Sequence, residues 1–369
     1  MQLLLNSVVF SPDIFEVQRL GGVSRYFVEL AENIKSLGEF QVEVSTAIHI
    51  NSYLRDSGVN SGMYLPFSPN RMRMSKLMSS LNEQHSRKLT EKKSFAISHE
   101  TFYRGGVKYL ATRYRVTTVY DLIREKFTTN WNGFAAKQLA LTRADAVICI
   151  SQSTANDLQD YYKVDPSKIS VVYLGVSDRF FRQDDYREEK SNRNQLLYVG
   201  GREGYKDFRT LVLAFSQSNF LRDNFRVLVF GAKFTKEEVS LMSSLKVIGS
   251  FDHAAGRDEA LISAYRSSVG LVITSIYEGF GLTALEAMVA GCPVISSGGG
   301  SLDEITGGLD FRFEPSNPES LVEAIMGLMY KPHLLKELKD KALRHAQAFK
   351  WAKTTEDTVS IYKNLINSG

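Results

Sequence analysis

The sequence predicts an α/β protein built from two doubly wound domains, each with a parallel sheet. Short runs of aliphatic and β-branched residues alternate with helix-length amphipathic segments along the whole chain. These runs are continuously apolar, which is typical of parallel strands covered by helices on both faces. The length of 369 residues exceeds one ordinary core and suits two domains.

The strand candidates fall into two sets of six, one for each predicted sheet. The first set is LLLNSVVF (3–10), QVEVSTAI (41–48), FAISH (95–99), RVTTVYD (115–121), AVICIS (146–151) and ISVVYLGV (169–176). The second set is QLLYVGG (195–201), FRVLVFG (225–231), KVIGSF (246–251), LVITSIY (271–277), CPVISSG (292–298) and LDFRFEP (309–315). The helices predicted between them include GVSRYFVELAENIKSLG (22–38), STANDLQDYY (153–162), DFRTLVLAFSQS (207–218) and ESLVEAIMGLM (319–329).

The polar, charged stretch SDRFFRQDDYREEKSNRNQ (177–195) lies between two strand candidates, so we place the domain boundary there. We predict a first domain over 1–175 and a second over 176–351, with a last helix, about 352–369, that crosses back onto the first. Open parallel sheets bind ligands at the carboxyl ends of their strands. Two such sheets that faced each other would enclose a cleft.

Composition and charge narrow the class of protein. The net charge is +4, and the basic excess lies in residues 1–175, which hold 21 Lys and Arg against 16 Asp and Glu. No apolar run approaches the ~20 residues of a membrane helix, and the opening MQLLLNSVVF lacks the features of a signal peptide. We expect a cytoplasmic protein with no nucleic-acid partner, which leaves peripheral contact with the inner face of the cytoplasmic membrane open.

The sequence shows no residue spacing typical of a metal site and no pattern typical of a redox site. The six histidines have no paired metal spacing, and no two aspartates stand two positions apart. Cys149 and Cys292 both lie in strand-like runs and fit small buried residues of a reducing compartment. We therefore expect neither a metal nor another cofactor.

The stretch YEGFGLTALEAM (277–288) carries the strongest indication of a ligand site. It follows an apolar strand and leads into a helix that Gly291 ends. A helix start with unpaired amides binds anions, and carboxylates such as Glu278 and Glu286 accept hydrogen bonds from sugar hydroxyls. The alternative is that Glu278 is a loop charge and Glu286 a solvated helix residue.

Two further glycine turns follow predicted strands. In QLLYVGGREGYKDF, Gly200 and Gly201 precede Arg202 and Lys206, a pair of cations that could hold a diphosphate or simply lie at the surface. In QRLGGVSRY (18–26), a glycine pair opens a helix that carries a cation on its first turn. These residues, Gly21, Gly22 and Arg25, form either an anion nest or a plain helix start.

Polar residues also end two neighbouring strands of the first domain. His99 follows one strand, and Tyr120 and Asp121 follow the next. At the carboxyl edge of the sheet they would face the predicted cleft. The alternatives are that His99 belongs to the core and that Asp121 caps the helix after it.

Taken together, these segments resemble the retaining glycosyltransferases of family 4, which have the GT-B fold. The resemblance runs through the whole chain. Its motifs are GGVSRY (21–26), AVICISQSTANDLQDYYKVDPSKISVVYLGV (146–176), YVGGREGYKDF (198–208), KVIGSF (246–251), YEGFGLTALEAMVAGCPVIS (277–296), SLDEI (301–305) and FKWAKTTEDTVSIYKNL (349–365). It implies two Rossmann-like domains, the first for the acceptor and the second for a nucleotide-sugar donor.

The resemblance also implies roles for single residues. Glu278 would contact the hydroxyls of the donor sugar, and Glu286 would hold those of the ribose. Arg202 and Lys206 would hold the diphosphate together with the backbone at the start of the helix, residues Phe280, Gly281, Leu282 and Thr283. The nucleotide base would lie near Phe251 and contact mainly backbone. No metal is expected, because fixed cations and amides would stabilise the leaving diphosphate.

The chain departs from the family pattern at several positions. Tyr120 stands where many members have a histidine that touches the donor sugar, so either Tyr120 or His99 would take that place. Thr283 and Asp303 replace prolines, and Arg202 and Lys206 are one residue closer together than in many members. The segment 70–93 reads as a basic amphipathic helix, suited either to an anionic membrane or to covering the first domain.

The sequence thus predicts a transferase that moves a hexose, mannose-like or related, from a GDP- or UDP-linked donor to a polysaccharide or lipid-linked oligosaccharide. Two alternatives remain open. One is a nucleotide-sugar epimerase of the same fold, and the other is a two-lobed sugar-binding protein without chemistry. Fold alone does not decide among them.

Overall fold

The computed structural model describes residues 4–67, 72–103, 110–128, 133–181, 194–202, 204–330 and 332–368. The chain divides into two compact units. Unit 1 comprises residues 1–175 and 351–369, and unit 2 comprises residues 176–350. The final helix therefore belongs to the first unit by its contacts.

Unit 1 is built on a six-stranded parallel sheet. Its strands and a separate two-stranded ladder are β1 (Leu4–Phe10), β2 (Gln41–Val44), β3 (Ile48–His49), β4 (Met63–Tyr64), β5 (Phe95–Glu100), β6 (Tyr114–Val119), β7 (Ala146–Cys149) and β8 (Ile169–Val171). The order in the large sheet is β2-β1-β5-β6-β7-β8, and β3 pairs with β4. The register places Phe10 opposite both Val44 and His99. A parallel sheet needs a crossover after each strand, which is what the alternating sequence predicts.

Among the residues of the first part of the chain that the structure describes, seven α-helices precede the boundary. They are α1 (Asp13–Val17), α2 (Gly22–Leu37), α3 (Ser52–Arg55), α4 (Met72–Lys92), α5 (Ile123–Phe127), α6 (Phe134–Arg143) and α7 (Gln152–Tyr162). Two of them start at side-chain caps, Asn51 for α3 and Ser151 for α7. The 16-residue α2 ends at Gly38, whose left-handed backbone (φ 71°) stops the helix.

Unit 2 repeats the architecture with a second parallel sheet. Its strands are β9 (Gln195–Val199), β10 (Arg226–Phe230), β11 (Phe251–Ala254), β12 (Gly270–Ile273), β13 (Val294–Ser296) and β14 (Phe311–Arg312), in the order β11-β10-β9-β12-β13-β14. The order reverses beside β9, so the exits of β9 and β12 lie at the switch point where such sheets bind ligands. The two sheets confirm the predicted doubly wound fold.

In the described part of the chain after residue 194, eight α-helices belong to unit 2 and a ninth, α16, belongs to unit 1. They are α8 (Phe208–Gln217), α9 (Asn219–Asn224), α10 (Lys236–Ser244), α11 (Asp258–Ser267), α12 (Leu282–Ala290), α13 (Leu302–Thr306), α14 (Pro318–Tyr330), α15 (Pro332–Ala346) and α16 (Trp351–Asn367). A core of aliphatic and aromatic residues from β9, β10, α8 and α14 fills the space between sheet and helices. Helix α16 packs on α2 within unit 1.

One predicted strand is displaced. KVIGSF (246–251) was expected to be a strand, but Ile248–Ser250 forms a 3₁₀ turn and β11 begins only at Phe251. Lys246 has a left-handed backbone (φ 56°), which interrupts the apolar run before any strand can form.

His99 lies in the core of unit 1 and joins α16 to the sheet. Its Nδ1 is 2.6 Å from the Tyr362 hydroxyl and its Nε2 is 2.7 Å from the Thr118 hydroxyl, so both ring nitrogens are hydrogen bonded. The ring is fully buried and stacks on Phe10. Burial lowers the pKa of His99 from 6.5 to about 3, so the folded protein keeps this imidazole neutral.

We expect this histidine to make the protein less stable in mild acid. Below pH 6.5 the imidazole of His99 is protonated in the unfolded chain, whereas it stays neutral in the folded protein. The contribution of His99 to the free energy of unfolding is therefore complete above pH 6.5 and is lost as the pH falls towards 3. Between pH 7 and pH 5 the loss is on the order of 2 kcal/mol. Urea unfolding at the two pH values measures it.

The variant His99→Gln should lack this component of the pH dependence, whatever its absolute stability. His85→Gln, on the half-buried side of α4, is the matched control and should behave as the wild type. A His99→Gln protein with the full wild-type pH dependence would contradict the assignment.

Candidate functional site

The loop between β12 and α12 places a helix start at the carboxyl edge of the second sheet. Gly281 is the N-cap, with a left-handed backbone (φ 89°), and a Cβ there would lie 2.7 Å from Leu302 Cδ2. Glycine is therefore required at this position. The first turn of α12 is the uncharged LTAL, so the positive end of the helix dipole is not neutralised from within.

Glu278 is held in this loop by a glycine-rich segment, GGGS (298–301), that follows β13. The Glu278 amide donates to the Gly299 carbonyl at 3.2 Å, and its carbonyl accepts from the Ser301 amide at 3.0 Å and from the Ser301 hydroxyl at 3.1 Å. A Cβ at Gly300 would collide with the Glu278 carbonyl oxygen. The sequence analysis missed this support, although the run of glycines was its visible sign.

Lys206 reaches the same place from the loop after β9. Its ammonium is 2.7 Å from Glu278 Oε1, and both side chains are mostly buried, with 23% and 14% of their surfaces exposed. Two bonds fasten the loops together: the Ile276 amide donates to the Tyr205 carbonyl at 2.8 Å, and the Thr274 hydroxyl donates to the Lys206 carbonyl at 2.7 Å. The structure thus brings together two of the residues that the sequence singled out.

The charge state of Lys206 follows from its surroundings. Burial alone would lower the pKa of Lys206, but Glu278 and then Tyr205 raise it, and on balance it stands above its ordinary value. The ammonium also lies 5.1 Å from the centre of the Tyr205 ring. Lys206 is therefore a fixed positive charge throughout the physiological pH range.

Arg202, which was predicted to hold the diphosphate, makes all its observed hydrogen bonds within unit 2. Its Nε and Nη2 donate to the two carboxylate oxygens of Glu238 at 2.8 and 3.0 Å, and the guanidinium also donates to the carbonyls of Ala232 and Lys233 at 2.9 Å. The residue is 9% exposed and lies over Phe234. With every nitrogen engaged, Arg202 clamps the loop after β9 to the start of α10, a structural role.

Glu286 lies one turn further along α12 and is buried, with 5% of its surface exposed. Its Oε2 accepts a hydrogen bond from the hydroxyl of Tyr265 in α11 at 3.0 Å. The remaining residues of α12 from Ala284 to Ala290 are apolar and buried. The solvated-helix alternative for Glu286 is therefore wrong, and Tyr265 is a partner that the sequence analysis missed.

The predicted base-binding residue is a core residue. The Phe251 side chain is 6% exposed and packs in the hydrophobic core against the rings of Phe208 and Phe215. Only its backbone, at the start of β11, could serve a ligand. A base contact near Phe251 that is mainly to backbone, as the resemblance implies, stays a prediction.

The remaining predicted residues of unit 2 frame the turn after β9 and the start of α12. Gly200 has a left-handed backbone (φ 110°), and Gly201 accepts a hydrogen bond from the Tyr198 hydroxyl at 2.8 Å. Phe280 packs its ring against Phe349. Leu282 and Thr283 form the first turn of α12 and are half-buried.

The three candidate site residues at the strand ends of unit 1 have different surroundings in the structure. His99 is the core residue described above, so its predicted contact with a ligand is wrong. Tyr120 is 8% exposed and packs edge-on against Tyr26 and Phe27; within the described residues its hydroxyl has no hydrogen-bond partner. Asp121 accepts a hydrogen bond at 3.0 Å from the amide of Ile123, the first residue of α5, and Leu122 is the N-cap of that helix.

The glycine pair of unit 1 starts α2 as predicted. Gly21 is the N-cap, and the Gln18 side-chain carbonyl accepts from the Ser24 amide at 3.0 Å, which occupies one amide of the first turn. Gly22 opens the helix, and the Arg25 Nε lies 4.0 Å from Glu29 on the next turn. This helix start is thus partly satisfied by its own chain.

The described residues offer neither a cluster of metal ligands nor a membrane-spanning helix. No group of three or more His, Cys, Asp or Glu side chains in that part of the chain is placed to hold a metal ion. Among the helices that the structure describes, none combines the length and the apolar character needed to cross a bilayer.

Comparisons with known proteins indicate the family of the chain. Residues 181–345 match the profile of the glycosyl transferases group 1, and residues 20–180 match that of Glycosyltransferase Family 4. A similar curated protein is the MMP alpha-(1->4)-mannosyltransferase of Mycolicibacterium hassiacum, 28% identical over 66% of this chain and 60% of that protein. The chain spans about 60% of the length of the first curated relatives that it matches.

Solved structures share the fold over nearly the whole chain. Sucrose-phosphate synthase from Thermosynechococcus elongatus superposes with a TM-score of 0.79 at 18% identity, covering 99% of this chain and 100% of that one. Anabaena Alr3699/HepE in complex with UDP-glucose gives 0.77 at 15% identity, covering 97% and 99%. Both units have the Rossmann-like architecture of the GT-B fold, and the chain belongs to glycosyltransferase family 4.

Proposed function

We propose that this protein is a retaining glycosyltransferase that moves a hexose from a nucleoside-diphosphate sugar to a polysaccharide or lipid-linked oligosaccharide. The observation that carries the proposal is the Lys206–Glu278 ion pair beside the start of α12. The ammonium and the uncharged helix start can bind a diphosphate, and the carboxylate can accept hydrogen bonds from sugar hydroxyls.

The diphosphate is the group for which the positive charges are arranged. Lys206 and the first turn of α12 stabilise the negative charge that grows on the diphosphate as the bond to the sugar breaks. A diphosphate carries more negative charge than one carboxylate, so it draws the ammonium away from Glu278. Glu278 then accepts hydrogen bonds from the donor sugar, and Glu286 accepts them from the ribose.

Retention follows from departure and attack on the same face of the sugar. The bond from C1 to the phosphate oxygen breaks, the bond from C1 to the acceptor oxygen forms, and the acceptor proton passes to the departing phosphate. Glu278 acts as a hydrogen-bond acceptor in this scheme and forms no covalent bond to the sugar. The scheme needs no metal ion, because Lys206 supplies charge where a metal would otherwise be required.

The donor is a hexose of the mannose or glucose type on GDP or UDP. The mannosyl relative supports the first sugar, and the UDP-glucose complex of a protein with the same fold supports the second. Tyr120 lies at the strand-end position where many members of the family have a sugar-contacting histidine. We propose that Tyr120 takes that role, because His99 is committed to the core.

Replacing Lys206 by alanine should abolish diphosphate recognition. A bound nucleotide raises stability by about 2.7 kcal/mol at a hundredfold excess over Kd, so UDP or GDP should raise the melting temperature of the wild type. Uridine and guanosine should not, and neither diphosphate should stabilise Lys206→Ala. Transfer from the matching donor should fall by about 10²–10³-fold.

Lys236→Ala is the matched control, because Lys236 is an exposed cation at the start of α10 in the same unit. It should bind and transfer as the wild type does. Equal stabilisation of Lys206→Ala and the wild type by diphosphates would exclude the proposed site. Release of epimerised donor without acceptor would instead favour an epimerase.

Removal of divalent metal should leave the reaction unchanged. The positive charge at the diphosphate comes from Lys206 and the α12 dipole, neither of which a chelator removes. We expect the same kcat with excess EDTA as with Mg²⁺, measured as nucleotide release in the presence of acceptor. Strict dependence on added metal would contradict the mechanism.

We further propose that α4 holds the protein at an anionic membrane. The helix packs on unit 1 through a polar stripe: Asn82, fully buried, donates to Glu16 and accepts from two backbone amides. Its other side exposes Met74, Leu77 and Leu81, which are 41%, 60% and 38% exposed. Exposed lysines and arginines accompany them, namely Lys76, Arg87 and Lys88. Residues 70 and 71 of the predicted segment lie outside the described residues.

The double variant Leu77→Ser, Leu81→Ser should lose binding to vesicles that contain anionic lipid. Each leucine buried at a membrane contributes about 1.5–3 kcal/mol, so co-sedimentation should weaken at least tenfold. Val239→Ser, at an apolar residue of unit 2 with 38% exposure, is the control. Unchanged vesicle binding of the double variant would contradict a membrane role for these exposed leucines.

A further inference from the structure

Glu286 is a carboxylate buried in an otherwise apolar stretch of helix. From Ala284 to Ala290, α12 contributes alanine, leucine, methionine and valine to the interior, and Glu286 interrupts them with 5% of its surface exposed. A buried carboxylate without hydrogen bonds is strongly destabilising. A hydrogen-bond donor that the fold provides therefore constrains the orientation of the Glu286 carboxylate.

That partner, Tyr265, is rigid. It is among the largest fully buried side chains, its ring packs edge-on against Phe180 at 6.2 Å, and it projects from the last turn of α11. Burial, and then the neighbouring Glu286, raise the pKa of Tyr265 well above its ordinary value. The hydroxyl therefore keeps its proton and acts as a donor.

The bond from Tyr265 fixes one carboxylate oxygen. It reaches Oε2 at 3.0 Å, and a carboxylate has about four acceptor positions on its two oxygens. A vicinal diol would use acceptor positions other than the one that Tyr265 occupies, and the bond from Tyr265 restrains the orientation of the carboxyl group. A pre-oriented acceptor loses less entropy when a ligand binds.

We infer that Tyr265 is a positioning residue for nucleotide recognition: its hydroxyl holds the Glu286 carboxylate in the orientation that accepts the two ribose hydroxyls. The inference rests on the proposed function, in which Glu286 holds the ribose. Tyr265 itself touches no ligand. It selects ribonucleotides through Glu286.

The test compares a ribonucleoside diphosphate with its 2′,3′-dideoxy analogue by isothermal titration calorimetry, using UDP or GDP, whichever binds the wild type. The wild type should prefer the ribonucleotide. In Tyr265→Phe the ribonucleotide should bind about tenfold more weakly, while the dideoxy analogue should bind as before. A purely structural role would weaken both ligands equally.

A double-mutant cycle with Glu286→Gln gives a second measurement. Glu286→Gln should itself remove the preference for ribose, and adding Tyr265→Phe should then change it no further. Tyr362→Phe is the matched control, because Tyr362 is also fully buried and hydrogen bonded, but in unit 1. It should keep the wild-type preference.

The outcomes separate the two levels of the hypothesis. A wild type that prefers ribose, with a Tyr265→Phe variant that keeps that preference or loses affinity for both ligands equally, would overturn the inference and leave the proposed function intact. A wild type that binds both nucleotides equally would overturn the ribose contact of Glu286, and the inference with it.

Discussion

The site in unit 2 depends on the ion pair between Lys206 and Glu278, and that pair depends on backbone geometry. The loop that carries Glu278 owes its shape to glycines: Gly281 adopts a left-handed conformation close to Leu302, and Gly300 lies against the Glu278 carbonyl. Backbone hydrogen bonds then fasten the loop of Lys206 to the exit of β12. The charges are positioned by chain conformation, so a ligand meets them already in place.

Buried polar groups fix the other irregular segments in the same way. Arg202 fastens the loop after β9 to α10, His99 fastens α16 to the first sheet, and Asn82 fastens α4 to the segment before β3. Each replaces water by hydrogen bonds to loops or helices distant in sequence. Because a buried polar group without its partners is costly, each of these side chains specifies a single arrangement of the segments that it joins.

Because these polar contacts join segments that are distant along the chain, only part of the structure could be predicted from the sequence. Apolar runs and their spacing depend on neighbours along the chain, so the parallel strands and α12 with its glycine ends were predicted well. Arg202 and Lys206 look alike in sequence, each a cation after a glycine turn. What distinguishes them is Glu238, 36 residues away, which engages Arg202, and Glu278, 72 residues away, which engages Lys206. No local pattern carries that information.

In the proposed function, Glu278 and the diphosphate of the donor compete for one cation, Lys206. Lys206 and Glu278 satisfy each other at 2.7 Å in a largely buried setting, where an unpaired charge would be unstable. A diphosphate next to α12 offers Lys206 a stronger partner and leaves Glu278 with an unsatisfied demand for hydrogen-bond donors. Sugar hydroxyls meet that demand, whereas a bare nucleotide does not. In the proposed function the pair therefore couples recognition of the diphosphate to recognition of the sugar, and the site is complete only when both are present.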